Sequence, residues 1–338
     1  MTRAVFRIVL AAFFLLSGSA AYAQVTLSTI KARGMLNCGV NGTLIGFSAK
    51  DAQAHWSGLD VDYCRAIAAA IFNDISKVAF IPVSSTDRFT ALKSGQIDVL
   101  SRDTTWTSLR DTSLGVTFTG VNFYDHQAFM VRKLEVKSTA DLNNLAVCVV
   151  DDTTTILNLA DFASTRNLSF KILSFSTSDQ AIAAYDSKRC DAYTADYSGL
   201  LAAMHKLSQP DLNAILNDVV AKEPLSPAVR KGDEAWFDIV KWVHFAMLLA
   251  EEAGVTSANV DDRRKSDIPA IRRLLGVDGN QGEILGLSND WAYRIIKLVG
   301  NYGEVFERDV GQSSPLKLPR GYNALWSKGG LQYAPPIR

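Results

Sequence analysis

Twice along this chain a strand pattern alternates with a helical pattern. That repetition constrains the fold more than any other feature. In the first unit, "GMLNCGV" (34–40) sets Leu36, Cys38 and Val40 on one face at period two. "GLDVDYCRAIAAAIF" (58–72) follows, with Asp60 expected as its N-cap and Tyr63, Cys64, Ile67 and Ile71 in one helical stripe. "VAFIPV" (78–83) reads as a strand, "RFTALKSG" (88–95) as a short helix ended by Gly95, and "IDVL" (97–100) as a further strand. The second unit starts near residue 140. "LAVCVV" (145–150), "FKILSF" (170–175) and "DAYTAD" (191–196) are its strands, with helices expected over "TTTILNLADFAST" and "SDQAIAAYDSKRC". Alternation of this kind predicts an α/β fold built on parallel sheets.

Two stretches break the pattern. "VNFYDHQAFMVRK" (121–133) is extended and aromatic, and "VVAKEPLSPAVRKGDEAW" (219–236) carries two prolines. Both read as crossovers between two lobes. Beyond them the chain is helical: "AWFDIVKWVHFAMLLAEEAG" stripes Trp236, Val240, Val243 and Met247, and "IPAIRRLLG" and "NDWAYRIIKLVGNYGEVFERDVG" add more helix. The Gly/Pro-rich tail is expected to pack through Trp326 and Tyr333. Open sheets bind ligands at the carboxyl ends of their strands. The ends of "IDVL" and "DAYTAD" and the turn after "LAVCVV" therefore face the expected cleft.

Residues 1–23 read as a secretory leader. Arg3 and Arg7 precede the apolar "IVLAAFFLL" (8–16), and "AYA" (21–23) supplies a small-residue cleavage site. Nine apolar residues fall well short of the roughly 20 that span a bilayer. Lys+Arg and Asp+Glu balance at 35 each, so nothing points to nucleic acid or an acidic membrane surface as partner. A hydrophobic content of 48% suffices for two cores. Export implies an oxidising compartment for Cys38, Cys64, Cys148 and Cys190. Of the three pairings open to them we favour 38–64 and 148–190, because each closes a local unit; free thiols are the alternative.

No nucleophile elbow, HExxH, phosphate loop or dinucleotide fingerprint is present, and the four histidines lack metal-ligand spacing, so neither a cofactor nor a metal is expected. What stands out is "RDTTWTSLRD" (102–111), just past a strand end. Arg110 can take a carboxylate in bidentate fashion, and Thr105 and Thr107 bring hydroxyl donors to the same group. Thr153 and Thr154 open a helix, where free N–H groups favour an anion. Asp196 ends another strand. A cation facing a carboxylate suits a zwitterion, its α-carboxylate at Arg110 and its α-ammonium at Asp196. The alternative is that Arg110 pairs with Asp103 or Asp111 while Asp196 only caps a helix.

The chain resembles the periplasmic amino-acid-binding proteins of ABC importers, the family 3 solute-binding proteins. "GFSAKDAQAHWSGLDVDYCRAIAAAI" (46–71) and "RFTALKSGQIDVLSRDTTWTSLRD" (88–111) carry the general likeness. "CDAYTADYSGL", "KEPLSPAVRKGDEAWFDIV", "GNYGEVFERDVG" and "RGYNALWSKGGLQYAPP" resemble the general L-amino-acid-binding subgroup. The resemblance implies a two-lobed type II periplasmic-binding-protein fold with a double-crossover hinge and a helical C-terminal extension. Lobe 1 would be 24–125 plus 222–338, and lobe 2 126–221. It implies a monomeric, non-enzymatic receptor that takes free L-amino acids to ABC permease subunits. It also implies a ligand clamp of Arg110, Thr105, Asp103, Thr153, Thr154 and Asp196. Asn41 and Leu44 stand where relatives selective for cationic side chains carry Asp and Tyr, and Ser85 stands at their stacking aromatic. No side-chain selector is evident, which fits a broad ligand range. Two positions depart from the subgroup: Asp103 replaces an Asn and Asp152 a Gly. Both would set a carboxylate near the ligand's own, and Asp152 would also make left-handed backbone harder to adopt. The same fold hosts dehydratases of cyclic acids, for which Asp103 or Asp152 would be the general acid. A sensor module is a further alternative.

Overall fold

The computed structural model describes residues 25–338. The expected leader lies outside them. A helix, Val25–Arg33, precedes β1 (Leu36–Val40), whose Leu36, Cys38 and Val40 are all buried, as the period-two pattern requires. β2 (Thr43–Leu44), β3 (Ser48–Lys50) and β4 (Trp56–Ser57) make a small antiparallel sheet beside it. The helix Leu59–Phe72 is capped by Gly58, not by Asp60. Gly58 takes φ 121°, and a Cβ there would lie 2.3 Å from the Phe47 carbonyl oxygen, so close packing onto Phe47 dictates the residue. Asp60, one position inside the helix, turns inward instead. It accepts from Ser101 Oγ (2.9 Å) and from the Asp103 amide (3.0 Å), tying the helix to the segment that follows β6 (Val99–Leu100).

β5 (Val78–Pro82) and β6 flank β1 in parallel. Between them the helix Arg88–Ser94 ends at Gly95, whose φ of 81° lets its N–H reach the Leu92 carbonyl. β7 (Val116–Phe118) precedes the first crossover. That crossover is β8 (Phe123–Arg132), which belongs to a second sheet with β9 (Ala146–Val150), β10 (Lys171–Phe175), β11 (Ala192–Asp196) and β12 (Asn213–Ile215). The return crossover, β13 (Ala221–Leu225), pairs antiparallel with β8 and sets Glu223 opposite Asp125. β14 (Ala228–Arg230) re-enters the first sheet. The orders are β5-β1-β6-β14-β7 and β10-β9-β11-β8-β12. Both sheets are therefore mixed rather than parallel: the three strands of each α/β unit are parallel, and β14 in the first sheet and β8 in the second run against them.

Disulfides join Cys38 to Cys64 and Cys148 to Cys190, with Cα separations of 6.3 and 5.7 Å. Each fastens a helix or loop to an interior strand of its own sheet, β1 or β9. Loops of 26 and 42 residues stabilise by about 3.5–4 kcal/mol each in a chain-entropy account.

The helix Glu234–Glu252 buries Trp236, Val240, Val243 and Met247 as striped, and the Trp236 indole donates to the Asp98 carbonyl (2.9 Å). "NDWAYRIIKLVGNYGEVFERDVG" forms two helices, Trp291–Leu298 and Tyr302–Asp309. Gly300, at φ 110°, breaks it, and Asn301 and Glu304 close a reciprocal capping box at the restart. The tail is anchored differently from the sequence expectation. Trp326 and Tyr333 are 53% and 62% exposed; their rings meet edge to face, and the Trp326 indole donates to Glu252. Leu325, Asn323 and Gln332 are the buried anchors, and Gln332 meets the buried His244 ring at 3.2 Å. Among the described residues no helix is long and apolar enough to cross a membrane.

Candidate functional site

A cleft opens between the two sheets. All nine expected ligand residues line it. Asn41, Leu44, Ser85, Asp103, Thr105 and Arg110 come from the first-sheet side, and Thr153, Thr154 and Asp196 from the second. Thr107 does not line it. Its hydroxyl caps the helix Ser108–Ser113, accepting from the Arg110 amide (3.2 Å).

Arg110 is placed by local structure. The chain leaves β6, turns through Asp103 at φ 37°, and is pinned to the return crossover by Trp106 N to Pro224 O (2.8 Å) and Ser226 N to Thr104 O (3.0 Å). The buried guanidinium donates from Nη1 to the Thr105 carbonyl (2.8 Å) and lies over the Phe89 ring at 5.5 Å. Asp103 pairs with Arg102 (3.7 Å) rather than with Arg110. Most of the Arg110 fork thus remains for a ligand. Burial pulls its pKa down; the charges of Glu223 and Asp196 hold it up.

Asp196 stands at the N-cap position of the helix Tyr197–Met204, yet its side chain does not cap. Asp125, from β8, takes that role, accepting from the Ser198 amide (3.2 Å) and the Ser198 hydroxyl. The Asp196 carboxylate is left to the cleft. Burial, then the charges of Glu223, Asp125 and Asp103, push its pKa well above the usual carboxylate range, while Arg110 acts the other way. Arg110 and Asp196 therefore attract across the cleft.

The helix Thr154–Arg166 starts without a side-chain cap, because Thr153 donates to the Val150 carbonyl (2.7 Å). Its first N–H groups stay available to an anion. Of the two departures, Asp103 does line the cleft, with its pKa raised to about 6 by burial against the lowering pull of Arg102 and Arg88. Asp152 is exposed and off the cleft wall, although it adopts the left-handed backbone (φ 55°) that glycine would take more easily.

Sequence reasoning missed two residues. Arg88 is almost wholly buried on the cleft wall; its Nη2 reaches the Asp152 carbonyl (3.0 Å) on the opposite side and its Nε has no partner. Burial, with Arg102 and Arg110 nearby, depresses its pKa. The available signal was a charge sharing one helical face with Ala91 and Leu92. Glu223 is fully buried behind the cleft wall and accepts from the Thr105 hydroxyl, from Thr154 Oγ1 (2.9 Å) and from Asn158 Nδ2 (2.7 Å). Its signal was a carboxylate in period-two register with the buried Leu225. At the mouth, Lys206 Nζ donates to the Thr43 carbonyl (2.9 Å) and pairs with Asp179 (2.7 Å).

Two α/β lobes, joined by paired crossovers and lined at their junction by fixed charges of both signs, define a receptor that encloses a small solute. The chain belongs to the bacterial extracellular solute-binding proteins, family 3, whose model matches residues 36–251. It is 54% identical, over 95% of each chain, to the general L-amino acid-binding periplasmic protein AapJ of Rhizobium johnstonii. It is 46% identical, over 93% of each, to the glutamate/glutamine/aspartate/asparagine-binding protein BztA of Rhodobacter capsulatus. An ABC transporter periplasmic binding protein from Brucella ovis, solved with glutathione bound, superposes with a TM-score of 0.91 at 51% identity, covering 93% of this chain and 99% of that one. All three are named as binding proteins, two of them as periplasmic and one as part of an ABC transporter.

Proposed function

We propose that this protein is the periplasmic receptor of an ABC importer, exported by its leader and cleaved after Ala23, and that it delivers L-amino acids as a monomer to membrane permease subunits. Lobe 1 is 24–125 plus 222–338, lobe 2 is 126–221, and the paired crossovers are the hinge. The observation that carries the reading is that Arg110 and Asp196, opposite charges from the two sheets, line one cleft. Arg110 and the free N–H groups at Thr154 take the α-carboxylate, and Asp196 takes the α-ammonium. Asn41, Leu44 and Ser85 border the side chain. A ligand that touches both lobes binds the closed form better and shifts the population towards it.

Arg88 refines the ligand class. A guanidinium on the cleft wall, bonded to the protein through Nη2, favours side chains ending in a carboxylate or amide oxygen. Relatives named for glutamate, aspartate and their amides, or holding glutathione, fit that preference. Calorimetry on Arg88→Ala tests it. A charge-assisted hydrogen bond contributes about 1.5–3 kcal/mol, so L-glutamate affinity is expected to fall roughly 10- to 150-fold further than L-leucine affinity. Equal losses would remove Arg88 as a selector. The dehydratase alternative keeps its general acid at Asp103, and turnover of a cyclic acid by the purified protein would replace the receptor reading.

A further inference from the structure

The amino-acid reading leaves one buried charge without a task. Glu223 lies on the hinge strand β13, fully buried, and is not part of the cleft wall. It touches both lobes through hydroxyls that are on that wall. One carboxylate oxygen accepts from Thr105, and the other accepts from Thr154 (2.9 Å) and Asn158 Nδ2 (2.7 Å). A carboxylate has only acceptor sites, and a threonine hydroxyl has one proton and two lone pairs. The protons of Thr105 and Thr154 are therefore both directed away from the ligand. What these two hydroxyls present to the cleft is lone pairs.

We propose that Glu223 is a positioning residue for ligand discrimination. By holding both threonine protons it turns Thr105 and Thr154 into acceptors, and so extends the ammonium subsite of Asp196 onto the opposite lobe. The inference rests on the amino-acid reading and deepens it. The two hydroxyls lie 3.4 Å apart, close enough for one ammonium to donate to both. The ligand carboxylate is then left to Arg110 and the helix N–H groups, which need no hydroxyl. The surroundings support the polarity: Asp125 is the cross-strand neighbour of Glu223, and both add negative charge beside Asp196.

Glu223→Gln separates this role from a structural one. The amide oxygen keeps the doubly bonded position facing Thr154 and Asn158, so the amide NH₂ faces Thr105. Thr105 must then accept from it and turn its own proton into the cleft, against the ammonium. The expected result is a loss of L-glutamate affinity of tenfold or more, with the affinity for 2-hydroxyglutarate, which lacks the ammonium, changed by less than threefold. The readout is the ratio of the two affinities by calorimetry. Equal loss for both ligands would overturn the inference while leaving the amino-acid reading intact. Absence of L-amino-acid binding by the unaltered protein would overturn both. Should Glu223→Gln not fold, Thr105→Val measured on the same ligand pair tests the acceptor it is said to create: a loss for L-glutamate tenfold larger than for 2-hydroxyglutarate supports the inference, and a loss no larger overturns it.

Discussion

Arg110→Ala loses L-amino-acid binding by two to three orders of magnitude or more, with little change in fold. The guanidinium is buried, stacks on Phe89 and spends one donor on the Thr105 carbonyl, so the rest of its fork meets the ligand carboxylate in a poorly solvated cleft. Removing one partner of such a pair costs about 3–5 kcal/mol, because the other charge is left desolvated. A lysine at 110 restores only part of this, since a point charge cannot reproduce a two-pronged contact. Calorimetry on the alanine variant reads the effect directly. Micromolar affinity retained there would remove Arg110 from the clamp.

The second large effect is on pH. In the ligand-free cleft the anion of Asp196 is disfavoured by burial and by Glu223, Asp125 and Asp103, so its pKa is high; Arg110 opposes this. An α-ammonium placed against it stabilises the anion and lowers that pKa. Binding therefore releases protons wherever Asp196 is protonated in the free protein. By linkage, affinity weakens as pH falls below the raised value, by up to about tenfold per pH unit. Asp103, with a pKa of about 6, opposes the trend, since protonating it removes a repulsion from the ligand carboxylate. Asp125, also raised to about 6, lies behind the wall and reinforces it: neutralising it weakens the field that holds the ammonium. Asp196→Asn isolates the main group. It is expected to cost roughly 30- to 150-fold at neutral pH, about 2–3 kcal/mol, and to flatten the profile. An unchanged slope in that variant would place the titrating group elsewhere.

The α/β alternation, the disulfide pairing and the positions of Arg110, Thr105, Thr153, Thr154 and Asp196 were legible because each is a local signal: an apolar period, a strand end, a hydroxyl cluster; Asn41, Leu44, Ser85 and Asp103 came only from the resemblance to the family. What was hidden depends on contacts across the chain. Asp60 looks like a helix cap, yet the cap is Gly58, chosen by its approach to Phe47. Arg88 looks like an ordinary surface charge on a seven-residue helix; its burial comes from the second lobe, whose Asp152 carbonyl it reaches. Glu223 sits in a proline-bearing segment whose period-two register is only two residues deep, and its pairing with β8 carries it under the cleft. The antiparallel strands of both sheets follow from the same crossovers. The aromatic tail misled for the opposite reason: Trp326 and Tyr333 have the composition of an anchor, but a small helical extension is already filled by Leu325 and its neighbours.

The most direct measurement is thermal unfolding of the refolded, ligand-stripped protein against each of the twenty L-amino acids. At about 100 times Kd a ligand adds about 2.7 kcal/mol of stability, a shift of several degrees for a chain of this size. The predicted result is a clear upward shift with several amino acids, largest for those with acidic or amide side chains, and none with their D-enantiomers. Flat curves across all twenty, or equal shifts with both enantiomers, would contradict a cleft built to grip the two charged groups of an L-amino acid.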